Sequence, residues 1–285
     1  MPCSPDLHTH STASDGTLTP AALVARAAAA GVTLLALTDH DTLEGLPEAE
    51  QAASEHGIAF VPGVEVSVLW DGRTIHIVGL DVDRHSAPLI AGLAQLRHTR
   101  ETRAVVMADK LEQAGYPGAL EGARRYSQGN LIGRMHFARF LVSRGAASDV
   151  RSIFKRFLVA GKPGYVRGEW VDLATAVGWI RNAGGQAVLA HPARYGLTRT
   201  KLLRLLAEFR AAGGVGIEVV SGSHSRDDYA VFARHAREQQ LLASAGSDYH
   251  GPETPWLELG QLPPLPPGCQ PIWHHWTNNE HGAVF

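Results

Sequence analysis

The chain has 285 residues, of which 45% are apolar and 19% charged, with a formal net charge of −2. That length can bury a barrel-sized core. The balance excludes a disordered chain and bulk electrostatic binding to nucleic acid, though not a local cationic pocket. Only two cysteines occur, Cys3 and Cys269, so no disulfide framework is expected, and without a leader pattern or a membrane-length apolar run the expected setting is a reducing cytoplasm.

In chain order, Asp6-Leu7-His8-Thr9-His10 reads as a short strand ending in histidines, with Asp15 close behind. Thr19-Pro20 supplies a helix N-cap and a proline at the first helical position, and Gly31 closes an alanine-rich helix. Residues 32–37 form an apolar run, a buried parallel strand that delivers His40 at its carboxyl end. A helix over 42–56 follows, then a strand over 58–61 leading to Gly63 and Glu65. The alternation of 74–82 places His76 on the face of Thr74 and Val78. From Ser86 to Gly161 the periodicity is helical, over 89–115, 131–145 and 149–158. Helix 172–183, strand 186–190, helix 200–212, strand 216–220, helix 227–239 and strand 241–245 then alternate. Pro263-Pro264-Leu265-Pro266-Pro267 reads as a stiff connector into a short tail.

Histidine and acidic residues gather at five places in this pattern, each at the end of a short apolar run. Neutral imidazole and carboxylate together suit borderline divalent metals such as zinc, manganese and iron. Strand–helix units with ligands at most strand ends fit an α/β barrel better than a doubly wound sheet, whose sites gather at one switch point. Residues 1–85 and 162–285 are expected to form the barrel, and 86–161 a helical insert.

The motifs Asp6-Leu7-His8-Thr9-His10-Ser11, Ser14-Asp15-Gly16, Leu37-Thr38-Asp39-His40-Asp41, Gly63-Val64-Glu65, Ala190-His191-Pro192 and Gly246-Ser247-Asp248-Tyr249-His250 resemble those of the PHP (polymerase and histidinol phosphatase) family over essentially the whole chain. Ile75-His76-Ile77-Val78-Gly79-Leu80, Arg134-Met135-His136-Phe137-Ala138-Arg139, Gly161-Lys162-Pro163-Gly164-Tyr165-Val166 and Ser221-Gly222-Ser223-His224-Ser225 are similar to one branch of it. That branch contains 3',5'-nucleoside bisphosphate phosphatases and 5'-3' exoribonucleases that trim RNA from a 5'-phosphorylated end. The resemblance implies a distorted (β/α)7 barrel, three divalent metals and a helical insert over the site. Carried over by position, His8, His10, Glu65 and Asp248 would hold the first metal. Glu65 would bridge to a second, held by His76 and His191, and Asp15, His40 and His250 would hold the third. One departure is Ala193, where the branch has glycine after His-Pro.

The chemistry this predicts is hydrolysis of a phosphate ester by metal-bound hydroxide, with no protein side chain as nucleophile. No Walker loop or Gly-X-Ser-X-Gly elbow points elsewhere. Arg134, Lys162 and Arg194 are candidate cations around phosphate, and His136 and His224 are further candidate substrate contacts. Asp39 and Asp41 are expected to orient the His40 imidazole. The expected cofactors are three divalent ions, manganese first, with zinc or iron as alternatives. The expected substrate is a nucleoside 3',5'-bisphosphate or a short 5'-phosphorylated RNA, with no membrane and no obligate protein partner. A phosphatase for another small phosphomonoester such as histidinol phosphate is the alternative, and a polymerase-associated module is disfavoured by the lack of a basic stripe.

Overall fold

In the computed structural model β1 (Pro5–Asp6), β2 (Leu34–Leu37), β3 (Ala59–Trp70), β4 (Arg73–Leu80), β5 (Gln186–Leu189), β6 (Gly216–Ser221) and β7 (Leu242–Gly246) form one sheet in that order. The structure describes residues 4–127, 131–253 and 257–277; Cys3 and His281 lie outside them, as does the side chain of His275. All neighbouring strands are parallel except that β4 runs antiparallel to both β3 and β5. Asp71 and Gly72 account for the reversal. Their φ angles are 48° and 76°, the two-residue turn whose twist matches that of paired strands. Such a turn joins only antiparallel strands, so β3 runs past residue 61 to Trp70, with register from Gly63↔Leu80 to Trp70↔Arg73. Leu7 N donates to Ala245 O (2.9 Å) and Asp248 N to His8 O (2.8 Å), joining β1 to β7. The expected distorted barrel is therefore present, with one hairpin in place of a strand–helix unit.

Period-two alternation divides β2, β4 and β5 between an inner and an outer core. Leu34, Ala36, Val61, Val78, Leu80 and Val188 meet inside the barrel. Leu35 and Leu37 point outward onto α1 (Pro20–Ala29) and α2 (Leu46–His56). The first of these helices starts where Thr19 accepts from Ala22 N. The second begins four residues later than expected, because Asp41 takes a positive φ of 52° and residues 42–45 turn.

The insert is built on α3 (Ala87–Gln113), whose two halves belong to different cores. Leu89, Leu93 and Leu96 pack with the barrel's outer face. Met107, Ala108 and Leu111 pack with α4 (Ala119–Arg124), α5 (Arg134–Ser143), α6 (Val150–Ile153) and the wider π-type turn Phe154–Leu158. Between the halves lies Arg100, buried. The helix expected from residue 131 begins at Arg134, where Gly133 N donates to His136 Nδ1 (3.0 Å).

Further along, α7 (Leu173–Asn182), α8 (Arg199–Ala211) and α9 (Arg226–Glu238) start at Asp172, Thr198 and Ser225, each accepting a backbone N–H two or three residues into the helix. Beyond the proline-rich connector, Ala243 N donates to Gln270 O and Ile272 N to Ala243 O. This seats the fully buried Ile272 against Val188 and Leu34, at the amino-terminal rim of the barrel, just before α10 (His274–Thr277). The tail is thus a plug. Among the described residues no helix is long and apolar enough to cross a membrane.

Candidate metal centre

The carboxyl-terminal rim gathers the expected ligands. His8 and His10 follow β1, His40 follows β2, His191 follows β5, and Asp248 and His250 follow β7. Glu65 sits midway along β3, because that strand extends beyond the rim into its hairpin. His76 lies near the start of β4, because β4 runs the other way and its first residues reach the same rim. Gly246 permits the close approach of β7, since a Cβ there would stand 2.3 Å from His8 Cβ.

Neighbouring acids hold the loops. Asp39 accepts from Ser11 N (2.8 Å), Ser11 Oγ (2.6 Å) and Ser14 Oγ (2.5 Å), pinning the loop that carries Asp15. Asp41 accepts from Ser67 N (2.7 Å) and Arg100 Nε (2.6 Å), tying β2 to β3 and to the insert. Neither acid bonds the His40 ring, so the expectation that they orient it is corrected: their oxygens are taken by nearer loop and insert donors. His191 and Asp248 both hold positive φ, 27° and 59°, a strained backbone that persists only where surrounding contacts enforce it.

Glu65 is the hub. Its Oε1 lies 2.8 Å from His76 Nδ1 and 2.9 Å from His191 Nε2; its Oε2 lies 2.8 Å from His40 Nδ1 and 3.3 Å from both His8 Nε2 and His10 Nε2. Asp248 Oδ1 is 3.2 Å from His10 Nε2, and Asp15 Oδ1 is 3.2 Å from His250 Nε2. Potential ligand atoms fall in three overlapping groups: His10, Asp15, His40 and His250; His8, Glu65, His191 and Asp248; His40, Glu65 and His76. All nine expected ligands therefore converge. The grouping differs from the expected division in placing His10 beside Asp15 and His191 beside His8.

The electrostatics follow from burial against mutual attraction. Burial, then the neighbouring His250, push His10 down to about 3, and burial lowers His76 to about 4. Burial opposes charge on Glu65, yet His40, His76 and His8 outweigh it and hold the carboxyl well below its usual range. On His250 burial is outweighed by Asp15, which helps raise it to about 9. Asp15 Oδ1, Glu65 Oε2 and His76 Nδ1 are buried and make no hydrogen bond among the described residues. Ionised carboxylates and lone-pair nitrogens facing one another without hydrogen bonds leave room for cations, and the donor set is that of divalent transition metals. The residues present fit a metal cluster.

A cavity of about 220 Å³ opens from this cluster and reaches a second, opposite kind of wall. Arg100 and Arg103 from α3 and Arg134 at the start of α5 line it, with Met135, Phe154, Trp170 and Leu257. Arg100 and Arg103 lie over the Trp170 ring at 5.1 and 5.6 Å, and Arg134 over Phe154 at 5.6 Å. Asp41 answers the charge of Arg100, whereas Arg134 has no hydrogen bond or ion pair among the described residues. Burial, then the other guanidiniums, lower the pKa of both Arg103 and Arg134. An anion there would relieve both effects.

Of the expected substrate contacts, Arg134 and Arg194 line the cavity. Arg194 Nη1 is 2.5 Å from Asp248 Oδ2, so it serves that carboxylate too. Lys162 lies exposed on its loop, off the cavity wall. His136 spends Nδ1 on Gly133 N, and His224 stacks on Phe232 and faces Ala193 N at 3.4 Å. The turn at Ala193 is intact, since Tyr195 Oη accepts from His76 N (2.9 Å) and donates to Ala190 O (2.8 Å). Sequence reasoning missed Arg100 and Arg103, which look like ordinary positions of a long helix. It also missed Glu218, whose signal was an acid inside the apolar run 216–220.

The PHP domain model matches residues 6–170. Over 269 residues the chain is 52% identical to a 3',5'-nucleoside bisphosphate phosphatase of Chromobacterium violaceum, covering 94% of each chain. It is 46% identical over 278 residues to the 5'-3' exoribonuclease Rnm of Escherichia coli, covering 97% of this chain and 94% of that one. A solved amidohydrolase structure from Chromobacterium violaceum, with bound sulfate and no metal, superposes with a TM-score of 0.93 at 51% identity over 96% of both chains. With a family model spanning more than half its length and these relatives spanning nearly all of it, the chain belongs to the PHP family.

Proposed function

We propose that the protein is a metal-dependent phosphoesterase that removes the 3'-phosphate of nucleoside 3',5'-bisphosphates, leaving the nucleoside 5'-monophosphate. The same bond cleavage releases 5'-mononucleotides from short 5'-phosphorylated RNA. The observation that carries this reading is the cavity's two walls, each suited to one phosphate: the histidine–carboxylate cluster and the group Arg100, Arg103 and Arg134. A substrate with one phosphate, such as histidinol phosphate, would leave the arginine wall without an anion. The named activities of the relatives support the same choice.

His8, His10, Glu65 and Asp248 would hold one ion, Glu65, His76 and His191 a second, and Asp15, His40 and His250 a third. Glu65 supports the bridging role because its two oxygens face different histidines. Manganese is the proposed metal, since imidazole-rich sites favour transition ions over magnesium. When bound, such ions supply a nucleophilic water near neutral pH and offset charge on the phosphoryl oxygens. Arg134, with Arg100 and Arg103, anchors the remote 5'-phosphate and so positions the 3' ester. Phe154, Met135 and Leu257 offer the nucleoside an apolar wall, and Arg194 stands between Asp248 and the reacting phosphate. Residues 86–161 act as the cap that brings the anchor over the barrel. Few cysteines and a nucleotide substrate fit a cytoplasmic setting.

Product analysis tests this. Adenosine 3',5'-bisphosphate should yield adenosine 5'-monophosphate and phosphate, and 5'-phosphorylated RNA should be cut faster than its 5'-hydroxyl form. Equal rates on bisphosphate, histidinol phosphate and a generic monoester would sink the reading.

A further inference from the structure

Glu218 is a buried carboxylate beside the metal centre with no part in the chemistry above. It lies on β6, is 1% exposed and does not line the cavity, so it cannot touch substrate. The pairing of β6 with β7 is bulged between Glu218 and Val220, an irregularity that re-aims a side chain. Its Oε1 is 2.6 Å from His8 Nδ1, and its Oε2 accepts from His191 N at 2.5 Å. Gly246 keeps the space open, since a Cβ there would come within 3.1 Å of Glu218 Oε1.

With one oxygen accepting from the His191 N–H and the other 2.6 Å from His8 Nδ1, the carboxylate acts as acceptor on both sides, and the geometry places a proton on His8 Nδ1. That leaves Nε2 as the ligand nitrogen, and Nε2 is the atom that faces Glu65 Oε2 (3.3 Å) and Asp248 Oδ1 (3.6 Å). The second oxygen holds the backbone of His191 at its unfavourable φ of 27°. We propose that Glu218 is a positioning residue of the metal centre, setting the tautomer of His8 and the backbone of His191 from a strand that contributes no ligand. This rests on the metal-dependent reading.

Glu218→Gln keeps the shape but has one acceptor oxygen. The N–H of His191 cannot change, so the amide oxygen stays there and the amide N–H faces His8. The ring then moves its proton to Nε2, where the ion must bind. In chelator-stripped protein, E218Q should bind Mn²⁺ about 10–100-fold more weakly than wild type at one or more sites, as for other partners of metal-bound histidine. Its melting temperature without metal should stay close to that of wild type, and Glu218→Asp should recover part of the affinity. Equal Mn²⁺ affinity in wild type and E218Q overturns the role of Glu218. Failure of wild type to bind any divalent ion overturns the metal reading instead. If E218Q does not fold, the ¹⁵N resonances of His8 in zinc-loaded wild type decide: a proton on Nδ1 is expected, and a proton on Nε2 overturns the proposal.

Discussion

The two walls of the cavity are built on opposite terms. The barrel wall packs six histidines and three carboxylates into contact, a donor set suited to cations. The insert wall packs three arginines against two aromatic rings, with Asp41 paired to Arg100, and is suited to anions. The barrel wall comes from strand ends held rigid by the sheet. The insert wall comes from helices whose positions depend on a second hydrophobic core. On the proposed reading the strands would set the reaction, and the insert would decide which ester is presented to it.

Removing the metal should break this division most severely. Chelator-treated protein should lose activity, and manganese should restore it better than magnesium, measured as turnover against added ion. Full activity of stripped protein with magnesium alone would contradict the imidazole-rich site as drawn.

Within the barrel wall, Glu65→Ala should be worse than His40→Ala. The loss of a carboxylate shared between ions removes several kcal/mol of transition-state stabilisation, on the order of 10³-fold in rate. Among the carboxylates of the described residues, His40 faces one oxygen of Glu65 and, more distantly, Asp15, and it spans none of the other acids. Metal content per chain measured beside residual rate checks the point, and equal losses in both variants would remove the bridging role.

The insert wall should yield a smaller and more selective effect. Arg134→Ala should cost about 1–3 kcal/mol in kcat/KM for a bisphosphate, the range for a charged hydrogen-bonding partner. It should change little for p-nitrophenyl phosphate. If both constants fall by one factor, Arg134 acts on the reacting phosphate and the two walls are not separate.

The smallest effect tests their independence directly. Adenosine 5'-monophosphate at ten times its Kd should stabilise metal-stripped protein by about 1.4 kcal/mol, read as a rise of a few degrees in melting temperature. Arg134→Ala should abolish the rise. Stabilisation only when metal is present would tie the 5'-phosphate to the barrel wall.

The strand-end ligands of the barrel wall were legible in the chain alone. His8, His40, His191 and Asp248 follow short apolar runs, and a strand that ends at the rim must present its next residues there. Local chemistry also determined α1, through Thr19, Pro20 and Gly31. The remainder waits on contacts between distant parts of the chain. The antiparallel run of β4 rests on a turn at Asp71-Gly72 that says nothing of where His76 will point. Ile272 becomes a plug only when the connector returns beside β7. Asp39 and Asp41 flank His40 in sequence, yet their oxygens are claimed by Ser11, Ser14, Ser67 and Arg100 from elsewhere in the chain. Arg100 and Arg103 read as two positions on a long helix until two cores fix where that helix crosses the barrel. A ligand at a strand end is placed by its neighbours in sequence, whereas a guanidinium over a distant cavity is placed by packing, and packing is a property of the whole fold.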